Sequence, residues 1–340
     1  MTSGASQERR RALAGVAAAG AAVLTLSVAA CGGSGGLSGL ARATGVAQPG
    51  TPSAGSAPSA ASSSAESSPG ASGVGTSGGA PSATATSPGA AQPTDPGHAD
   101  PFSGLDGYLA QRSGTVLAAV YDVRTGQSWR LGDGPAQAEA SVVKVNILEA
   151  LLSGSDGAGL SPDNQGLAEQ MIEDSDNDAA TSLWYAAGGT AGLAAYDAKA
   201  GLTRTTPSAC VVCVGFPWPG WGLTTTVPYD QITLLKQLIK PGPLLTTGDR
   251  EYVLSLLENV TPAQAWGVSG GVPAGVTVAL KNGWLPLNDA NTDWQINSEG
   301  WVSGDGRDYL ISVLTTGNPT EQYGIDTINE LSTLLWAAMR

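Results

Sequence analysis

Ser141-Val142-Val143-Lys144-Val145-Asn146-Ile147-Leu148-Glu149-Ala150-Leu151-Leu152 is the stretch on which the reading of this chain turns. Val142, Val145, Leu148 and Leu152 recur near helical spacing, which predicts a helix over 141–152. Its first turn holds the one Ser-x-x-Lys of the chain. Positions i and i+3 share a helix face, so the lysine amine can return over the serine hydroxyl. The free N–H groups and positive dipole end of a first turn favour a developing anion at Ser141 and disfavour a charged amine at Lys144. A lysine that sheds its proton there can serve as a base. Taken alone, the motif reads as an ordinary N-cap serine followed by a surface lysine.

Upstream of this helix, Val116 to Tyr121 and Gln127 to Leu131 read as two strands joined by the turn Asp122-Val123-Arg124-Thr125-Gly126. Downstream, Ser161-Pro162 opens a helix through Ile172, and Asp176 to Ala187, Pro228 to Ile239 and Gly248 to Asn259 are further helices. The period then switches to strands over Val276–Lys281, Trp294–Val302 and Tyr309–Thr315, and a last helix runs from about Glu321 to Met339. The order predicts a mixed α/β domain. Five strands form one antiparallel sheet, the terminal helix covers one face, and the central helices make a helical lobe. A cleft between sheet and lobe is the natural place for a site.

The single histidine, His98, lies outside this region. Its absence from 101–340 removes Ser-His-Asp, Cys-His and His-Glu-x-x-His chemistry, so an acyl-transfer base must be a lysine, a carboxylate or an amine. Two further short motifs fit that search. Ser175-Asp176-Asn177 sits between two helices, where a hydroxyl and an amide could face a cleft. By itself it reads as a helix cap in an acidic stretch. Lys281-Asn282-Gly283 follows a strand-like run, where a lysine can meet a carboxylate while glycine lets the backbone come close.

Serine-lysine, serine-asparagine and strand-lysine-glycine, in that order, resemble the signature of the class A β-lactamase and penicillin-binding superfamily of serine hydrolases. The resemblance covers nearly all of 104–340 and implies a β-lactamase/transpeptidase-like fold. By position, it implies Ser141 as acylated nucleophile and Lys144 as its base. Ser175 becomes the hydroxyl that passes a proton to the leaving group, Asn177 the substrate-orienting amide and Lys281 the carboxylate anchor. Gly283 belongs to the same substrate-binding strand, and the backbone N–H groups of Ser141 and Trp284 become the oxyanion hole. The substrate expected is a β-lactam, a peptidoglycan-derived D-alanyl peptide or an ester, with no cofactor and no metal.

The chain departs from that pattern in three places. The class A enzymes carry a deacylating glutamate on a loop after the serine-asparagine motif, yet Gly201 to Tyr229 contains neither Asp nor Glu. It holds Phe216-Pro217-Trp218-Pro219-Gly220-Trp221 instead. Efficient β-lactam hydrolysis is therefore not expected, and a non-hydrolytic penicillin sensor or scaffold is the alternative. Asn282 replaces the family's hydroxyl residue. The short interval between Ser141 and Ser175 leads one to expect a trimmed lobe and a more open cleft.

The first hundred residues read differently. Arg9-Arg10-Arg11, an Ala/Val/Leu run and Val28-Ala29-Ala30-Cys31 read as a lipoprotein signal over 1–30 with lipid on Cys31. An uncleaved membrane anchor is the alternative. Residues 31–100 are rich in Ser, Ala, Gly and Pro and are expected to be a disordered linker, for want of apolar side chains to offset backbone entropy. The domain is expected over 101–340, which holds all nine Trp and all eight Tyr. The expected location is the extracellular face of the cell membrane. The net charge of −13 argues against nucleic-acid partners, and the domain is expected to be monomeric. Cys210 and Cys213, in a chain read as exported, are expected to form a disulfide.

Overall fold

The computed structural model describes residues 99–213 and 216–340. The expected signal segment, Cys31 and nearly all of the expected linker lie outside the described residues. Along the chain the strands are β1 (Thr115–Asp122), β2 (Ser128–Leu131), β3 (Gln137–Ala138), β4 (Thr225–Thr226), β5 (Thr277–Pro286), β6 (Trp294–Gly304) and β7 (Arg307–Asn318). The helices are α1 (Asp106–Leu109), α2 (Val143–Ser153), α3 (Pro162–Glu173), α4 (Asn177–Ala186), α5 (Gly189–Ala200), α6 (Pro228–Ile239), α7 (Thr247–Glu258) and α8 (Glu321–Ala338). A 3₁₀ turn, Ala140–Val142, leads into α2.

Five strands pair antiparallel in the order β2-β1-β7-β6-β5. Side chains alternate across a sheet, and here the alternation divides two cores. Ala119, Tyr121, Ala279 and Leu310 face the lobe of α2–α7. Ala118, Val120, Leu280, Ile296 and Ile311 face α8. Counting from Ala279 and Ile296, that same alternation brings Lys281, Gly283, Asn297 and Glu299 to the lobe side and sends Asn282 to the α8 side.

Helix starts follow local chemistry. Ser161 caps α3 ahead of Pro162, and the Asp176 carboxylate caps α4 by accepting Ala179 N–H at 2.7 Å. Thr246 and Asp249 close a capping box on α7. The central helix α2 is different: Val143, Val145, Ile147, Leu148 and Leu152 are buried, and so are Lys144, Asn146 and Glu149. A helix buried on all sides sits inside the domain rather than on it. Among the described residues, no helix is long and apolar enough to cross a membrane.

The fold matches the five-stranded expectation and corrects three details. The last residues of 277–286 continue as strand, so Lys281-Asn282-Gly283 lies within β5 rather than at its end. Ser141 occupies the 3₁₀ turn, one step ahead of the α-helix proper. Helix α5 has no counterpart in the sequence reading, because Gly-Thr-Ala-Gly-Leu-Ala-Ala shows little apolar period. Burial of Leu193, Tyr196 and Ala200 holds it in place.

Candidate active site

Three separate elements bring the singled-out residues together. The 3₁₀ turn carries Ser141, the turn into α4 carries Ser175 with Asn177 as the first residue of that helix, and β5 carries Lys281. The Lys144 amine donates to the backbone oxygen of Ser175 at 2.6 Å, to Ser175 Oγ at 3.1 Å and to Asn177 Oδ1 at 2.7 Å. Lys281 reaches the same hydroxyl from the other side, donating to Ser175 Oγ at 2.9 Å and to the Asn282 carbonyl at 3.1 Å. Two amines therefore share one serine oxygen.

This geometry corrects the expectation that the lysine lies hydrogen-bonded over the nucleophile. The Lys144 amine is committed to Ser175 and Asn177, and Ser141 Oγ has no hydrogen-bond partner among the described residues. Lys281 is 1% exposed, so its amine is enclosed rather than held out to solvent. The amide of Asn282 does not stand in for a hydroxyl at the cleft. Its Nδ2 donates to the Gln264 and Trp266 carbonyls at 2.6 and 3.0 Å, which ties down the 264–266 turn.

Gly283 explains why β5 can lie so close to the nucleophile. A Cβ there would stand 2.6 Å from Ser141 N and 2.9 Å from both Glu139 O and Val142 N. Since β5 is the edge strand of the sheet, part of its backbone has no strand partner, and the 3₁₀ turn packs beside it. The turn is fixed from β6 as well. Asn297 Nδ2 donates to the Ala138 and Glu139 carbonyls at 2.8 Å each, and Gln295 Nε2 braces Asn297 Oδ1 at 2.7 Å.

Backbone strain marks the same place. Among the described residues, five non-glycine residues have positive φ, and three of them are Asp or Asn, which tolerate it. The other two are Ala140 (51°), beside the nucleophile, and Ser175 (60°). Such conformations cost on the order of 1 kcal/mol each and persist where the surroundings impose them.

The electrostatics favour an uncharged base. Burial, reinforced by the Lys281 charge, holds the Lys144 amine well below its ordinary range, with Asp176 pulling weakly the other way. Burial likewise lowers Lys281 to about 7, against the attraction of Glu299. Glu299 stands directly opposite Lys281 in the β5–β6 register. It is fully buried, and neither carboxylate oxygen has a hydrogen-bond partner. Burial pushes it up to about 8, with Lys281 opposing. Glu139 and Glu149 are also buried and raised, chiefly by desolvation. Glu139 accepts from Gln231 at 3.3 Å, and Glu149 accepts from the Tyr196 hydroxyl. Burial thus biases all three acids beneath the site toward the protonated form.

A cavity of about 70 Å³ opens at Ser141. Its polar lining is Ser141 and Asn177, and its walls include Phe216, Trp218, Trp221 and Trp284. The aromatic run of the acid-free loop thus occupies the space beside the nucleophile. The Trp218 and Trp221 indole N–H groups donate to Asp178 Oδ1 (3.0 Å) and Thr181 Oγ1 (3.1 Å) on α4. The Lys144 amine lies 5.1 Å from the Trp221 ring centre. Cys210 and Cys213 form a disulfide that packs on Gly220, where a Cβ would meet Cys213 Sγ at 2.7 Å.

Sequence reasoning missed Asn297, Gln295 and Glu299. The signal was present as alternation: Gln295, Asn297 and Glu299 are three large polar residues at every second position of one strand. A larger cavity of about 240 Å³ lies apart from Ser141, against β1, β2 and the start of α6. Among the described residues, no cluster of His, Cys, Asp or Glu is disposed to hold a metal.

Comparison with known proteins places the fold. LppW of Mycobacterium tuberculosis and Mycobacterium bovis, provisionally named a lipoprotein, is 28% identical over 214 residues. That match covers 60% of this chain and 64% of LppW, so it spans less than two thirds of the relative's length. Among solved structures, the TLA-1 extended-spectrum β-lactamase aligns with a TM-score of 0.62 at 18% identity, over 70% of this chain and 97% of the other. A β-lactamase from Chitinophaga pinensis gives 0.61 at 20% identity, over 69% and 98%. PBP-A gives 0.56 at 22% identity, over 68% and 92%. A family profile described as the Beta-lactamase enzyme family matches residues 156–339, beginning just after Ser141 and Lys144. With its sheet, its lobe and more than half its length accounted for in this way, the chain belongs to the beta-lactamase enzyme family.

Proposed function

We propose that the protein is a cell-surface serine hydrolase that forms an acyl-enzyme on Ser141. The observation that carries this reading is the convergence of Lys144, Ser175, Asn177 and Lys281 on a few hydrogen bonds beside a free serine hydroxyl. A scaffold has no physical need for two buried amines, each of which costs several kcal/mol to desolvate. In the reaction, Ser141 Oγ attacks a carbonyl carbon of a β-lactam, D-alanyl peptide or ester. Lys144, biased toward the uncharged form by burial and the Lys281 charge, takes up the serine proton, and Ser175 passes a proton to the departing nitrogen or oxygen. Asn177 orients the substrate, Lys281 supplies positive charge, and the N–H groups of Ser141 and Trp284 stabilise the oxyanion, each worth about 3 kcal/mol.

Deacylation is slow in this reading, because the cavity at Ser141 has no carboxylate in its lining to activate water. That observation also favours a second reading, a penicillin-binding sensor whose acyl-enzyme persists. Cys31 is the proposed lipid attachment site, in keeping with the name of LppW. The test is intact-mass spectrometry of the full-length protein after exposure to a reactive penicillin. An adduct on the wild type and none on Ser141→Ala is expected. If no β-lactam or activated ester leaves an adduct or is turned over, the acylation reading is wrong.

A further inference from the structure

The wall of the Ser141 cavity carries information about the acyl donor. Two tryptophans turn their polar edges away to α4, where Asp178 and Thr181 accept their N–H groups. Such tethering satisfies the only polar atom of an indole and leaves hydrocarbon surface for the cavity. Phe216 and Trp284 add two more rings. Of the two polar groups in the lining, Asn177 Oδ1 already accepts from Lys144 at 2.7 Å. Neither Ser175 nor either lysine lines this cavity. A leaving group must stand near its proton donor, so it faces Ser175, and the cavity is left to the acyl side of the scissile bond.

The size limits what fits. An engineered apolar cavity of about 150 Å³ accepts benzene, so about 70 Å³ suits a smaller group. The wall is also braced: Gly220, between Pro219 and Trp221, is pinned by the disulfide through Cys213 Sγ and the Gly220 N–H bond to the Cys210 carbonyl at 2.7 Å.

Building on the acyl-enzyme reading above, we infer that the preferred acyl donor carries a short, uncharged alkyl group next to its carbonyl, seated among Phe216, Trp218, Trp221 and Trp284. In the step itself, Ser141 Oγ bonds to the acyl carbon and the bond from that carbon to the leaving oxygen or nitrogen breaks. The serine proton ends on the leaving group. The alkyl group stays in the cavity after acylation, and the rings keep water from that side of the ester.

The experiment uses the full-length protein and 4-nitrophenyl esters with one leaving group and acetyl, propionyl, butyryl, hexanoyl or succinyl on the acyl side. Nitrophenol release and the mass of the Ser141 adduct are followed together. The acylation rate constant should rise about tenfold from acetyl to butyryl, the worth of two buried methylenes. It should level off or fall at hexanoyl, and succinyl should be at least tenfold slower than butyryl. In Trp218→Ala the butyryl-to-acetyl ratio should collapse toward one. The wild-type series decides the matter even if that variant does not fold. Adducts on Ser141 with a flat acyl series, or with succinyl equal to butyryl, would overturn this inference while leaving the acyl-enzyme reading intact. Failure of every ester and every penicillin to label Ser141 would overturn both.

Discussion

Replacing Glu299 with glutamine tests the electrostatic account of the interior directly. Glu299 is fully buried, and both its oxygens lack hydrogen-bond partners. Its carboxyl is pushed from 4.5 to about 8 by desolvation, with Lys281 opposing. Between those two values the unfolded chain has released a proton that the folded protein keeps. Stability therefore falls as pH rises through that window, and the loss is complete above the folded value. At about 1.4 kcal/mol per pH unit, the full span corresponds to about 5 kcal/mol. Glutamine has nearly the shape of the protonated acid and no charge to lose, so the variant escapes this loss. Lys281 modifies the sum. Its value of about 7 drops further without Glu299, which trims the gain near neutral pH. The expected outcome is a melting temperature within about 2 °C of wild type at pH 5, and about 5–15 °C above it at pH 8.5, at about 2–4 °C per kcal/mol for a domain of this size. The assay is thermal unfolding by circular dichroism across that pH range. A variant that is equally shifted at both pH values, or less stable than wild type at pH 8.5, would refute the reasoning.

Other perturbations address the site more locally. Lys144→Ala should abolish penicillin labelling of Ser141 while the far-ultraviolet spectrum stays native; normal labelling would remove the lysine from its role. Because burial and Lys281 hold the Lys144 amine low, the acid limb of the acylation pH profile should lie below the ordinary range of a lysine amine. In Lys281→Ala that acid limb should move to higher pH, and an unmoved limb would contradict the coupling. Gly283→Ala places a Cβ against Ser141 N and is expected to slow acylation at least 100-fold, the order of loss when one oxyanion donor is displaced. An acylation rate near wild type would show that the close approach of β5 is immaterial. Gly220→Ala, whose Cβ collides with Cys213 Sγ, should lower the melting temperature and speed reduction of the disulfide by added dithiothreitol. A reduction rate and melting temperature equal to wild type in that variant would speak against the packing described.

The sheet was legible because its strands are short apolar runs, such as Val116 to Tyr121 and Tyr309 to Thr315, set off by turns rich in Gly, Asn and Asp. The order of Ser141, Ser175 and Lys281 was legible because short motifs keep their sequence spacing whatever the fold does between them. What escaped was set by tertiary contact. Helix α5 has no strong period of its own and is held by Leu193 and Tyr196 packing into the lobe. The pairing of Lys144 with Ser175 and Asn177 depends on a turn whose Ser175 adopts a positive φ, which no local pattern announces. The roles first given to Lys281 and Asn282 assumed exposure, whereas continuation of β5 to Pro286 encloses one and turns the other to the α8 side. Glu299 was visible as an acid within a strand, but its significance lies in the β5–β6 register that sets it opposite Lys281.

The two amines on Ser175 impose a count of hydrogens. A charged Lys144 has three, and it meets three acceptors: the Ser175 carbonyl, Ser175 Oγ and Asn177 Oδ1. Uncharged, it has two, and neither carbonyl oxygen can offer a hydrogen in return. The bond that must change sense is the one to Ser175 Oγ, whose own hydrogen then turns toward the lysine lone pair while Lys281 continues to donate from behind. Removal of one proton from Lys144 therefore reverses the polarity of a single hydrogen bond and leaves every heavy atom where it was. The hydroxyl of Ser175 works as a valve whose direction reports the charge of its neighbour.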